Sequence, residues 1–449
     1  MRLTRSILLT GLSLAAACQV GPPQGDDGSA GTQASDTGTA GTEASDTGTA
    51  GTEESDTGDE TGGSEDALEC LTLLVGPWPE MGANSSYVTP DGRVLLAGSF
   101  RDPQYPQSNV AHAWVGAFDV DGTLLWSRDF GPGWASTIHP RGEGFAFLYT
   151  RFTASPYASL DFVSLDADGN VDQTVVLSEE GVGHWPEDWI ETASGVLLGG
   201  SEQGNFWLGR LDGNGAIETL VQEDYAGFDD GVMRLARYGD VIGALVDVGL
   251  YSYPDLEPGP DAVIGSTLLV EYDEQGVELQ RTLLAMPGET IADSVTWNGK
   301  TLDVDADGTW IVSGEASDTL PAGENYGWVT AVRDGEILWT YETPQDLTWE
   351  ARGLATTTVT DDILLAGWVT EWYVSVDRSW FLHLDSGTGE LLSELVGPVL
   401  SSDPWSSDYI GSGVPSDGRV RLVGKTTDWS NYPLNYEVSY EHWLCTFVN

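Results

Sequence analysis

The chain has 449 residues, with 71 Asp and Glu against 18 Lys and Arg, for a formal net charge of -53. So acidic a surface excludes a nucleic-acid partner, because a phosphate backbone is held by Lys and Arg. It also excludes docking on anionic lipid through a basic patch, and self-repulsion predicts a soluble monomer.

In chain order, the first element is a secretory leader over residues 1–17. Arg2 and Arg5 form a basic start, and Ile7 to Ala17 is an apolar run too short to span a bilayer. It leads into Leu14-Ala15-Ala16-Ala17-Cys18, which resembles the bacterial lipobox. That resemblance implies cleavage before Cys18, acylation of this residue and insertion of its acyl chains in a bilayer; several chains on one residue anchor stably where one does not. Gln19 after the cysteine implies the outer membrane or cell surface. The alternative is plain secretion with cleavage near Ala17.

Residues 18–66 follow as a tether. Thr39–Gly48 reads Thr-Ala-Gly-Thr-Glu-Ala-Ser-Asp-Thr-Gly, close copies flank it, and no Lys or Arg occurs between Cys18 and Arg93. Low hydrophobicity with one sign of charge predicts disorder, and a flexible chain of this length spans roughly 40 Å. Such acidic Thr/Gly/Asp/Glu-rich tethers after a lipobox resemble those of myxobacterial surface lipoproteins.

From residue 67 to 449 the pattern changes to short alternating strands. One strand ends on small residues, as in Val94-Leu95-Leu96-Ala97-Gly98; the next opens on an aromatic residue and closes in an Asp-Gly turn, as in Trp114 to Gly122. Such turns between alternating strands signal hairpins. The repeat, at roughly 45 to 70 residues, fits four-stranded propeller blades. The expected fold is therefore all-β: a single β-propeller of about seven four-stranded blades stacked on one another. The last unit, ending His442 to Phe447, reaches only a third strand, and residues near Leu74–Pro77 match a fourth strand ending at Leu395–Pro398. The ring is thus expected to close three-plus-one, leaving no open edge. In that alignment Cys70 and Cys445 lie on paired strands and form a disulfide, while Cys18 remains for lipid. No cysteine is left for metal or nucleophilic duty. The five histidines show no metal spacing, and neither cofactor nor metal is expected.

The segments Leu384 to Leu392 and Asp119 to Trp126 resemble the PQQ-like propeller repeat. That resemblance implies the fold. It does not imply redox chemistry, since no vicinal cysteine pair is present.

The expected site lies on one face, where loops are long and aromatic. Tyr105, Tyr157, Tyr251, Tyr253, Tyr326, Trp372, Tyr373, Trp429, Tyr432 and Tyr436 fall in loops between second and third strands. Trp134, Trp185, Trp189, Trp297, Trp349 and Trp405 are assigned to loops between fourth and first strands. Flat aromatics with polar handles suit sugar faces or protein surfaces; the same tryptophans alternatively pack between blades. The leading reading is a non-catalytic binding or scaffold module for glycan or protein. The alternative is a secreted glycoside hydrolase or lyase whose acid and base come from Glu187, Asp188, Glu350 and Asp408. Asp303, Asp305 and Asp307 have the spacing of a calcium loop without its closing Glu, and align with ordinary turns.

Overall fold

Alternating strands with Asp-Gly turns make antiparallel hairpins, and the computed structural model contains little else. It describes residues 67–73, 81–101, 111–152, 158–179, 182–224, 230–248, 266–284, 295–318, 325–343, 349–359, 362–371, 376–396, 405–413, 419–428 and 439–448, none of them helical. The chain divides into Met1–Gly62 and Gly63–Asn449, and only the second contains described residues. The leader, Cys18 and the tether expected over residues 18–66 therefore lie outside them.

Strand β1 is Ala67–Leu73. The first sheet comprises β2 (Met81–Val88), β3 (Val94–Arg101), β4 (Ala111–Phe118) and the start of β5 (Leu124–Arg141). Residues of β5 up to Pro132 pair with β4, and those from Gly133 pair with β6. This one strand joins the first sheet to the second, which continues with β6 (Gly144–Arg151), β7 (Ser159–Leu165), β8 (Val171–Glu179) and the short β9 (Val182–Gly183). The third sheet is β10 (Trp185–Thr192), β11 (Gly195–Glu202), β12 (Asn205–Leu211) and β13 (Ile217–Glu223). The fourth is β14 (Gly231–Tyr238), β15 (Val241–Val248), β16 (Ser266–Asp273) and β17 (Glu278–Leu284). The fifth is β18 (Val295–Val304), β19 (Trp310–Asp318), β20 (Asn325–Arg333) and β21 (Glu336–Glu342). The sixth is β22 (Trp349–Val359), β23 (Asp362–Glu371), β24 (Val376–Asp385) and β25 (Leu391–Val396). The seventh is β26 (Trp405–Gly413), β27 (Arg421–Asp428) and β28 (Ser439–Val448), with β1 as its fourth strand. Cys70 faces Cys445 in the register of β1 and β28, and the two are disulfide-bonded.

There is no single core. Each apolar cluster lies between two successive sheets: Leu95, Val115 and Phe147 between the first and second, Phe162, Trp189 and Trp207 between the second and third. The series continues in the same way to Phe381, Leu422 and Trp443 between the sixth and seventh. Leu73, Val423 and Leu444 of the seventh sheet pack on Met81 and Trp114 of the first. The first strands of successive sheets touch in the same order, β5 against β2 through to β26, which touches β2. Each sheet thus buries both faces only by having neighbours.

The Asp-Gly turns make a second set of contacts. At Asp119, Asp166, Asp212, Asp273 and Asp305 the carboxylate accepts backbone N–H groups two and four residues on, as Asp166 does from Asp168 and Asn170 at 3.0 and 2.8 Å. Where such a turn joins third and fourth strands, its glycine has positive φ and receives a side chain from the preceding sheet's fourth strand. Trp126 sits on Gly169, Leu220 on Gly276, Trp339 on Gly389 and Leu71 on Gly122, leaving no room for a Cβ. The Asp303–Asp307 turn is of this kind: Asp305 accepts from Asp307 and Thr309, and the Arg333 guanidinium is the cation beside it.

Gly169→Ala should destabilise the fold by about 2–4 kcal/mol, combining left-handed strain with the clash on Trp126. Gly142, at φ +57 with open space around it, should cost only the backbone part, roughly 1 kcal/mol. Urea midpoints of the two variants test the difference. Replacing both Cys70 and Cys445 by Ser should lower stability by up to about 5 kcal/mol, because 375 residues separate them and the unfolded chain regains that loop's entropy.

Candidate functional site

A β-bulge adds a residue to one strand only, frees backbone groups from the ladder and re-aims side chains. All seven first strands carry one. The register shifts fall between Ala83 and Ser85, Ser136 and His139, Pro186 and Asp188, Val232 and Arg234, Gly299 and Thr301, Arg352 and Ala355, and Tyr409 and Gly411. The small residues that end the second strands lie opposite these shifts. Gly98 faces Ala83 and Gly200 faces Pro186, and a Cβ on either glycine would strike the bulged backbone.

The freed groups are satisfied across sheets. Ser85 Oγ accepts from Ile138 N–H at 3.1 Å, and Thr137 Oγ1 donates to the Glu187 carbonyl at 2.9 Å. The Trp189 indole N–H donates to the Thr137 carbonyl at 2.8 Å. Asp188, almost wholly buried, accepts from Trp189 N–H and Leu235 N–H, both at 2.8 Å, and from His139 Nε2 at 3.0 Å. One carboxylate thereby holds the bulges of β10 and β14 and orients an imidazole on β5.

Three features converge here. Thr137 has φ +49 inside β5, and for a β-branched residue that is a genuine outlier, of the kind found at functional sites. His139 keeps 36% of its side chain in solvent while its partner Asp188 keeps 3%, so a buried carboxylate aims a reachable imidazole. Glu187 is the extra residue of the β10 bulge. It is exposed, yet burial by surrounding protein pushes its carboxyl above the ordinary range; Arg234 opposes this and Asp188 adds to it. Such a group keeps its proton to a higher pH than an ordinary Glu, and His139, with Nε2–H given to Asp188, has Nδ1 to accept one.

The aromatic site expected from sequence fares differently. Tyr105, Tyr157, Tyr251, Tyr253, Trp372, Tyr373, Trp429, Tyr432 and Tyr436 lie outside the described residues. Tyr326, Trp349 and Trp405 have backbone places in β20, β22 and β26, opposite Ala316, Glu371 and Asp428. Two corrections follow. The tryptophans assigned to loops before the first strands belong to those strands themselves: Trp134 in β5, Trp185 and Trp189 in β10, Trp297 in β18, Trp349 in β22 and Trp405 in β26. Trp189 is not a ligand-binding surface residue. It is completely buried, edge-on to Phe162 at 5.0 Å and to His139 at 5.3 Å. Of the four carboxylates, Glu187 and Asp188 come together at this bulge in different roles, whereas Glu350 and Asp408 have described backbone only, on β22 and β26. Sequence reasoning missed Thr137 and His139, since nothing in their spacing marks a bulge.

No protein-family model and no curated protein matches the chain. Among solved structures it is similar to the polysaccharide lyase Uly1, at 13% identity and TM-score 0.48, over 82% of this chain and 90% of that one. It is similar to the periplasmic gluconolactonase of Pseudomonas aeruginosa, at 13% identity and TM-score 0.44, over 71% and 84%. It is also similar to a prolyl endopeptidase, at 15% identity and TM-score 0.43, over 77% of this chain; the match spans about half, 47%, of that enzyme. All three are enzymes, whereas the sequence had led to the expectation of a non-catalytic binding or scaffold module.

Because the Glu187 carboxyl is raised, its ionisation opposes folding: the folded state favours the protonated form, and stability is lost as pH rises through the raised value. Glu187→Gln should therefore raise the melting temperature at pH 7. The gain should shrink towards zero by about pH 4, where unfolded-chain Glu is itself largely protonated. Thermal scans of both proteins across that range check the sign.

Proposed function

We propose that residues 67–449 form a closed seven-bladed propeller that works as an acid–base enzyme on carbohydrate, with its reacting groups on the bulges of β5 and β10. Support for closure comes from the interface cluster between the seventh and first sheets, the contact of β26 with β2 and the seating of Leu71 on Gly122. The observation that carries the enzymatic reading is the strained Thr137, which holds the Glu187 carbonyl beside the His139–Asp188 pair. His139 Nδ1 takes a proton from the substrate, and Glu187 returns one to the leaving oxygen. Asp188 is committed to three hydrogen bonds. It is not the second free carboxylate that two-carboxylate hydrolysis uses, so a lyase reaction is favoured over hydrolysis. Arg234, which acts on Glu187 through its charge, is the cation a sugar carboxylate would meet. The lipidation of Cys18 and display at the outer membrane or cell surface belong to the same proposal.

The test is a screen of the purified chain on neutral oligosaccharides, uronate-containing polysaccharides and sugar lactones. An unsaturated product marks elimination, and a reducing end alone marks hydrolysis. Turnover should fall about 10²–10⁴-fold in Glu187→Gln and in His139→Asn. The alkaline fall in kcat/KM that reports the raised carboxyl should vanish in Glu187→Gln. Activity that neither substitution alters, or none across the whole panel, would overturn the reading.

A further inference from the structure

The seam between the seventh and first sheets is held by unusual chemistry. Ala83, fully buried at the bulge of β2, gives its N–H to His442 Nε2 at 3.0 Å and receives Lys425 Nζ on its carbonyl at 3.3 Å. His442 lies on β28 and Lys425 on β27, opposite each other in register. Two side chains of one sheet thus clasp both polar groups of a single peptide residue of the next. Because Nε2 accepts, the imidazole is neutral with its proton on Nδ1, and Nδ1 finds no hydrogen-bond partner among the described residues.

We infer that His442 is a proton-operated clasp, whose protonation releases Ala83 and opens the seam between the seventh and first sheets. An imidazolium has no lone pair, so the Ala83 N–H would be left buried without an acceptor. It would also place a second positive charge, itself fully buried, beside Lys425. Residues 81–88 of β2 include no charged side chain, β1 contributes only Glu69, opposite Thr446, and β28 itself carries Glu441. On β26, Asp408 stands opposite Lys425 in register. Consistent with this setting, burial first and Lys425 second hold the folded imidazole down at about 3. The proton is therefore taken up by the opened form, whose imidazole returns to its ordinary value near 6.5. Each pH unit between about 6.5 and 3 should multiply the seam's opening constant roughly tenfold.

The clasp is independent of any catalysis. It is tested by amide hydrogen exchange of the isotopically labelled full chain, expressed as protection factors so that intrinsic exchange rates cancel. From pH 6.5 to 4.5, Ala83 should lose about 50-fold in protection, while Leu198, in the interior of the third sheet, stays constant. His442→Gln retains an oxygen acceptor for Ala83 but cannot titrate, and should abolish the dependence. If that variant fails to fold, histidine resonances of the native chain decide. The His442 ring should remain neutral as the pH falls from about 6.5 to about 4.5. A flat Ala83 profile, a His442→Gln profile that keeps its slope, or a His442 ring that protonates between about pH 6.5 and about 4.5 would each overturn the inference.

Discussion

The β-bulge in the first strand of every sheet is the constraint from which the interior follows. A regular ladder satisfies each backbone group within its own sheet; a bulged one does not. The surplus donors and acceptors sit where first strands meet, and buried polar groups without partners are costly. The chain meets this with side chains from the adjacent sheet: His442 and Lys425 for Ala83, Ser85 for Ile138, Thr137 for Glu187, Asp188 for Leu235. Polar bonds thereby do between these sheets what apolar packing does further out.

The same defect that ties sheets together also shapes the proposed site. Inserting Glu187 between Pro186 and Asp188 sends two adjacent carboxylates into opposite surroundings, one reached by water and one almost sealed. The sealed one orients His139, and the exposed one holds its proton more tightly than a free Glu. Bonds to Glu187 and Trp189 across the sheets hold Thr137 in a backbone region its side chain disfavours.

Much of the fold was legible because it rests on local signals. Asp-Gly turns, small strand ends and aromatic strand starts are short-range, and together they implied four-stranded antiparallel units. The alignment of terminal strands also placed Cys70 opposite Cys445. The site was less legible for a physical reason. Alternation assigns faces by counting in twos, and an inserted residue reverses the count beyond it. Trp189, assigned to a loop before a first strand, lies within that strand and in the core, while His139 follows a two-residue bulge that no composition signal marks. The glycines ending second strands were visible in sequence as a motif; their cause, the bulge pressing on Gly98 and Gly200, was not.

The pairing of β1 with β28 has a consequence for the order of assembly. A ribosome delivers Ala67–Leu73 long before Ser439–Val448, so the earlier strand must wait for the later. Sheets one to six can form as hairpins while synthesis proceeds, each presenting a bare apolar flank to solvent until its successor arrives. The seventh can be completed only once Ser439–Val448 has emerged, with a long loop to close and a correspondingly slow search. During that interval β1 is an unclaimed strand, and the intermediate is the species on which chaperones and aggregation compete.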